Sequence, residues 1–141
     1  MLKGKTVVVG VCGGIAAYKA VEVVSRLKKL GAEVNVIMTK NATQFVTPLT
    51  FQTISHNPVI TDMFAEPKIW DVQHISLAEK ADLMLIAPAT ANIIGKTANG
   101  IADDMLSTTI MATKAPVLFV PAMNTNMYDN PVVQQNISRL R

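Results

Sequence analysis

Four short apolar runs punctuate the chain, and between them the apolar positions shift to a helical period. The runs are residues 5–11 (KTVVVGV), 34–38 (VNVIM), 83–87 (LMLIA) and 117–120 (VLFV). Each is too short for a helix and too continuous for a half-exposed strand. They read as strands buried on both faces of a parallel sheet. The segment after the first run is different. On a helical wheel Ala16, Ala20, Val23, Val24, Leu27 and Leu30 share one side, while Lys19, Glu22, Ser25, Arg26 and Lys29 lie opposite. That stripe predicts an amphipathic helix beginning near Ile15, with Gly31 as its stop. Strand, helix and strand in succession make a βαβ unit with a right-handed crossover.

The same signals organise the rest. Asn41–Phe45 has room for one or two helical turns, and Thr47-Pro48-Leu49 opens another helix with Pro48 near its first position. His56-Asn57-Pro58 is a turn that leaves His56 solvated. Residues 61–73, which hold Pro67 and Trp70, read as an irregular surface loop and a mobile lid. A short helix from His74 to Lys80 leads into the third strand, which is expected to stop at Pro88. Asn99-Gly100 is a turn, Asp103 is expected to cap a helix running to Ala112, and Asn130-Pro131 starts a last helix as N-cap and N1. Four aliphatic strands alternating with helices predict an α/β fold, a Rossmann-like or flavodoxin-like parallel sheet with helices on both faces.

Composition narrows the class. Half of the 141 residues are apolar and 16% are charged, which excludes a disordered chain and supplies one domain with a core. The net charge of +3 is scattered; it suits a phosphorylated small molecule and is not the footprint of a nucleic-acid binder. One cysteine excludes an internal disulfide, and no apolar run reaches the length of a membrane-spanning helix. The expectation is a cytoplasmic protein with no membrane and no nucleic-acid partner. Asp103 and Asp104 are adjacent and point to different faces of a helix, so they make a poor metal pair; the metal expectation is none.

The chemistry gathers where strands end. The first strand runs into Cys12-Gly13-Gly14, where glycines permit close backbone approach and the next helix offers free N–H groups to an anion. Gly10, Gly13 and Gly14 do not fit G-x-G-x-x-G, and the second strand ends in Met38-Thr39-Lys40 without an acidic residue for a ribose. A phosphate monoester held by Thr39 beside the glycine turn fits better than a dinucleotide; Thr39 as a plain helix cap is the other reading. After the third strand come Ala89, Thr90, Ala91 and Asn92, small enough to admit a flat ring, with Thr90 and Asn92 able to hydrogen-bond a ligand or simply to cap the next helix. The fourth strand ends in Pro121 and then Ala122-Met123-Asn124-Thr125-Asn126-Met127. His74, at a helix N-terminus, is either a neutral imidazole able to act as base or orienter, or a structural residue.

These segments together carry a resemblance. GGIAAYKA (13–20), FVTPLTFQ (45–52), HISLAEKAD (74–82), APATAN (87–92), GIADDMLST (100–108) and PAMNTNM (121–127) occur in the order and spacing of the homo-oligomeric flavin-containing cysteine decarboxylases. Within them the chain resembles the phosphopantothenoylcysteine decarboxylase domain that forms the N-terminal half of the bacterial bifunctional coenzyme A biosynthesis protein. The resemblance implies FMN as cofactor. It implies Gly13, Gly14 and Ile15 near the flavin, Thr39 on its phosphate, Thr90, Ala91, Asn92 and Ser107 lining the cofactor, and Ala122 near the ring. His74 matches the family's catalytic histidine. Asn124 matches the residue that binds the substrate carboxylate, and Met127 completes the same substrate-binding motif. The implied reaction is decarboxylation of 4′-phosphopantothenoylcysteine to 4′-phosphopantetheine through a thioaldehyde intermediate. A homotrimer or dodecamer with FMN at the subunit interface, and fusion to phosphopantothenate–cysteine ligase, are implied as well.

Three departures qualify the match. Tyr128 stands where many relatives carry Trp, and Cys12 where Thr or Ser is common; at a helix N-terminus the Cys12 thiolate would be favoured. The family's substrate flap and its catalytic cysteine lie beyond Asn124 and Met127, so residues 1–141 are expected to be the flavoprotein (decarboxylase) domain, C-terminally truncated before that flap. The rival readings are a flavin prenyltransferase of similar fold and a non-catalytic FMN-binding regulatory subunit.

Overall fold

The structure, a computed structural model, describes residues 1–61 and 75–141. The expected lid, apart from its first residue, and His74 therefore lie outside the described residues. In order, the elements are β1 (Thr6–Val11), α1 (Ala17–Lys29), β2 (Glu33–Met38), a 3₁₀ turn (Asn41–Gln44) and α2 (Pro48–Ser55). Residues 75–80 are helical (α3). Then follow β3 (Leu83–Ala89), α4 (Ala91–Ala98), α5 (Met105–Ala112), β4 (Val117–Pro121), α6 (Thr125–Asp129) and α7 (Pro131–Leu140).

The four strands form one parallel sheet in the order β2-β1-β3-β4. Period-2 alternation sends neighbouring residues of β1 to opposite faces. Val7, Val9 and Val11 pack with Ala17, Ala20, Val24 and Phe51 from α1 and α2. Val8 joins Met84, Ile86, Ile93, Ile94, Leu106 and Ile110 on the other face, under α4 and α5. Helices cover both faces, which is why β1 and β3 read as unbroken apolar runs. Enclosing each such aliphatic side chain stabilises the fold by roughly 1.5–3 kcal/mol before chain entropy is subtracted. β4 is terminal in the sheet and leaves Leu118 and Val120 exposed.

Several boundaries differ from expectation for identifiable reasons. β3 does not stop at Pro88 but continues to Ala89. Pro88 lacks an N–H, yet it falls where the β3–β4 register shifts between Ile86 and Ala89, so no ladder bond is lost there. Its carbonyl accepts from Cys12 N at 3.3 Å, and the Ala89 carbonyl accepts from Ala122 N at 3.1 Å. The α5 cap is Asp104, not Asp103. Asp104 Oδ1 accepts from Ser107 N at 2.8 Å while Ser107 Oγ accepts from Asp104 N at 3.1 Å, a reciprocal capping box. Elsewhere the signals hold: Pro48 opens α2, Asn130 Oδ1 caps α7 at Val132 N, and Gly31 has φ +95° after α1.

Candidate functional site at the carboxyl edge

Strand order reverses at β1. The chain goes from β1 outward to β2, then returns across β1 to β3. The crevice outside the carboxyl ends of β1 and β3 is the switch point where an open α/β sheet has room for a ligand. Two adjoining cavities lie there, sharing Gly13, Thr90 and Asn92.

The smaller, of about 280 Å³, is lined by Cys12, Gly13, Thr39, Lys40, Asn41, Thr90, Asn92, Ile93, Lys96 and Asp104. Its polar walls come from strand ends. Thr39 follows β2, and its Oγ1 accepts from Ala42 N at 3.2 Å, capping the 3₁₀ turn. Thr90 is the N-cap of α4; its Oγ1 accepts from Ile93 N at 3.3 Å. In both cases the hydroxyl oxygen is used for the cap; the Thr39 proton remains to donate, and the Thr90 proton is shared with the weak acceptor sulfur of Cys12. Capping and ligand binding are therefore compatible roles of the same side chains. The glycine turn closes the wall: a Cβ at Gly13 would meet Asn41 Cβ at 2.5 Å.

The larger cavity, of about 650 Å³, is lined by Gly13, Gly14, Ile15, Ala16, Thr90, Ala91, Asn92, Ala122, Met123, Asn124 and Met127. Small residues and apolar groups dominate it. A Cβ at Gly14 would meet no atom within 4 Å, so the backbone there faces open space. Asn124 stands on the rim as N-cap of α6, its Oδ1 accepting from Asn126 N at 2.8 Å. That assignment leaves its amide NH₂ as the donor toward an incoming acceptor.

Of the residues singled out from sequence, Gly13, Thr39, Thr90 and Asn92 meet in the smaller cavity. Gly14, Ile15, Ala91, Ala122, Asn124 and Met127 meet in the larger. Ser107 lines neither: it is only 2% exposed and spends its hydroxyl in the capping box. The expectation of an activated Cys12 is also corrected. Its thiol is buried beneath the smaller cavity, and burial pushes it up to about 11, with the Thr90 hydrogen bonds only partly opposing. Lys96 and Asp104 were not expected at the site. The available signal for Lys96 was its place four residues after Asn92, on the same side of a helix. Among the described residues, no three His, Cys, Asp or Glu side chains cluster as a metal site, and no helix is long and apolar enough to cross a membrane.

A polar cavity beside a small-residue slot, at the switch point of a doubly wound parallel sheet, defines an α/β protein with room for a phosphorylated, flat ligand. The chain belongs to the flavoprotein family, whose model matches residues 1–141. It is 55% identical over 140 residues to the coenzyme A biosynthesis bifunctional protein CoaBC of Bacillus subtilis (strain 168), covering 99% of this chain and 34% of that protein. It is 45% identical over 139 residues to the probable phosphopantothenoylcysteine decarboxylase of Streptococcus mutans serotype c, covering 97% of this chain and 78% of that one. The solved structure of the FMN-dependent cysteine decarboxylase SpaF superposes with a TM-score of 0.90 at 32% identity, covering 100% of this chain and 81% of that chain. A phosphopantothenoylcysteine decarboxylase variant complexed with pantothenoylaminoethenethiol superposes with a TM-score of 0.82 at 30% identity, covering 96% and 76%. The chain thus spans about a third of the bifunctional relatives it matches.

Proposed function

We propose that the protein binds FMN at the carboxyl edge and decarboxylates 4′-phosphopantothenoylcysteine to 4′-phosphopantetheine in coenzyme A biosynthesis. The observation that carries this reading is the pairing of cavities: a polar one sized for a phosphate, opening beside an apolar one walled by small residues. The residues present fit the cofactor. Thr39 keeps a hydroxyl proton for a phosphate oxygen, Thr90 can turn its own from the weakly accepting Cys12 sulfur to the same use, and the bare Gly14 backbone leaves the space a ring needs.

FMN, when bound, supplies the hydride chemistry that turns the substrate's terminal cysteine into a thioaldehyde able to lose CO₂. The protein's own part is placement. The Asn124 amide donates to the substrate carboxylate and holds the cysteine end in the larger cavity. Ala91 and Ala122 keep that cavity free of bulk. Met127 forms part of its apolar wall, which excludes water. His74, by family resemblance, assists thiol deprotonation or orients the substrate.

Assembly belongs to the same proposal. Ile15 is 80% exposed and Met127 49%, both on the rim of the larger cavity, where a second copy would cover them. A trimer, alone or built into a dodecamer, with FMN at the interface fits that exposure, and full flavin occupancy in a sedimenting monomer would sink it. Fusion to a ligase domain, as suits the greater length of the bifunctional relatives, and a cytoplasmic setting complete the reading.

The test is an absorption spectrum of the purified chain with FMN, followed by CO₂ release from 4′-phosphopantothenoylcysteine. Flavin binding with a substrate-dependent spectral change supports the proposal. A folded protein that refuses FMN overturns it.

A further inference from the structure

Lys96 lies in the last turn of α4, on the helix side shared with Asn92, and lines the smaller cavity with Cys12, Gly13, Thr39 and Thr90. Its ammonium reaches out to Asp103, with Nζ 2.8 Å from Oδ1. The two partners are unequally placed. The Lys96 side chain is 20% exposed, whereas the Asp103 side chain is 57% exposed. At the cavity floor the buried Cys12 thiol feels both charges of this wall: Asp104 disfavours its ionised form and Lys96 favours it.

The other charges of this cavity are less suited to an anion. Lys40 projects from an exposed backbone turn. Asp104 is committed to Ser107, accepting from Ser107 N at 2.8 Å and from Ser107 Oγ at 2.6 Å. Asp103 is a weak holder of Lys96, because an ion pair with an exposed carboxylate gains little in water. A phosphate dianion inside a partly enclosed cavity is a much stronger acceptor of a charge-assisted hydrogen bond.

We propose that Lys96 is the cationic arm of this cavity: Asp103 parks it in the ligand-free chain, and it turns inward to pair with the phosphate of the bound ligand. The inference rests on the reading of the site as an FMN site. It gives Asp103 a definite role, that of a competitor for Lys96, opposite in sign to a structural clasp.

The experiment is a fluorescence titration of the full chain with FMN and, separately, with riboflavin, which lacks the phosphate. Wild type is compared with Lys96→Met, Lys96→Arg and Asp103→Asn at low ionic strength. Lys96→Met should weaken FMN roughly tenfold or more, the loss of one hydrogen bond to a charged group, and leave riboflavin unchanged. Lys96→Arg should restore most of the FMN affinity. Asp103→Asn frees the lysine and should tighten FMN, again without moving riboflavin. If Asp103→Asn weakens FMN as Lys96→Met does, the pair is a clasp and the inference is wrong. Equal losses for both flavins in Lys96→Met, or no loss for either, also overturn it while leaving the FMN reading intact. Wild type that binds FMN and riboflavin equally defeats the phosphate cavity itself, and a folded wild type that binds neither defeats the FMN reading and this inference together.

Discussion

Gly13 sits so close to Asn41 that a Cβ at position 13 would lie 2.5 Å from Asn41 Cβ and 2.9 Å from the Asn41 carbonyl carbon. The glycine turn after β1 is thus pressed against the 3₁₀ turn after β2, and the contact shapes the wall of the smaller cavity. The backbone carbonyl carbon cannot rotate away as a side-chain tip can. Gly13→Ala should therefore cost about 1–3 kcal/mol and displace Thr39 from its place in the cavity. Chemical denaturation of the variant, with FMN titration alongside, checks both effects; Gly14→Ala is the control for stability, since a Cβ there meets nothing within 4 Å.

Thr90 caps the start of α4 and lines both cavities. Thr90→Ala removes the cap and should lower stability by about 1 kcal/mol. It also removes the donor, so flavin affinity should fall further than the stability loss alone explains. Thr90→Ser keeps both functions. The comparison of melting temperature with flavin affinity across the two variants separates them.

Ser107 tests where the cofactor site ends. Its hydroxyl oxygen accepts from the N–H groups of Asp103 and Asp104 at 3.0 and 3.1 Å, and its own proton serves Asp104 Oδ1. Ser107→Ala leaves partly buried polar groups unpaired and should cost roughly 1 kcal/mol. Flavin affinity of the folded protein should stay near wild type, because Ser107 lines neither cavity.

Asn124 allows a substitution that preserves the local fold. Aspartate caps a helix as well as asparagine does, so Asn124→Asp should keep α6 and the fold. On the proposed reading it replaces the amide donor to the substrate carboxylate with a negative charge. FMN binding should persist and CO₂ release should fall by two orders of magnitude or more, roughly the cost of a lost charge-assisted contact plus repulsion. Steady-state decarboxylation assays with circular dichroism check the pair of outcomes.

Cys12 gives a pH prediction. Its ordinary value is 9.0 and burial raises it to about 11 in the folded protein. Below pH 9 the thiol is protonated in both folded and unfolded chains, and its contribution to stability is fully present. As pH rises from about 9 to about 11, the unfolded chain loses the proton first, and stability falls. Thermal melts of wild type and Cys12→Ser across that window should diverge, with wild type losing more. Alkylation of the native thiol at pH 8 should be slow compared with the unfolded chain, since the thiolate is the nucleophile.

The alternation of apolar runs and helical stripes was enough to specify the α/β class, because period 2 and period 3.6 are properties of local chain geometry. Turn chemistry was as legible: Pro48, Gly31 and Asn130 act through their own backbone or nearest neighbours. Segments matching the flavin-containing decarboxylases pointed to the same strand ends that the structure brings together. What the sequence could not settle were relationships between distant segments. Asp103 and Asp104 are equally good caps on paper, and only the position of Ser107, drawn inward with the apolar face of α5, selects Asp104. Pro88 looked like a strand stop until β4 was seen to shift register beside it. Cys12 looked activated by the helix beginning after it, but the packing of α4 and α5 on that face of the sheet buries the thiol and reverses the direction. Lys96 became a site residue only because α4 runs back along the cavity that its own first turn helps to form. Local geometry wrote the elements; desolvation and register, which depend on residues far apart in the chain, decided what each side chain at the carboxyl edge is able to do.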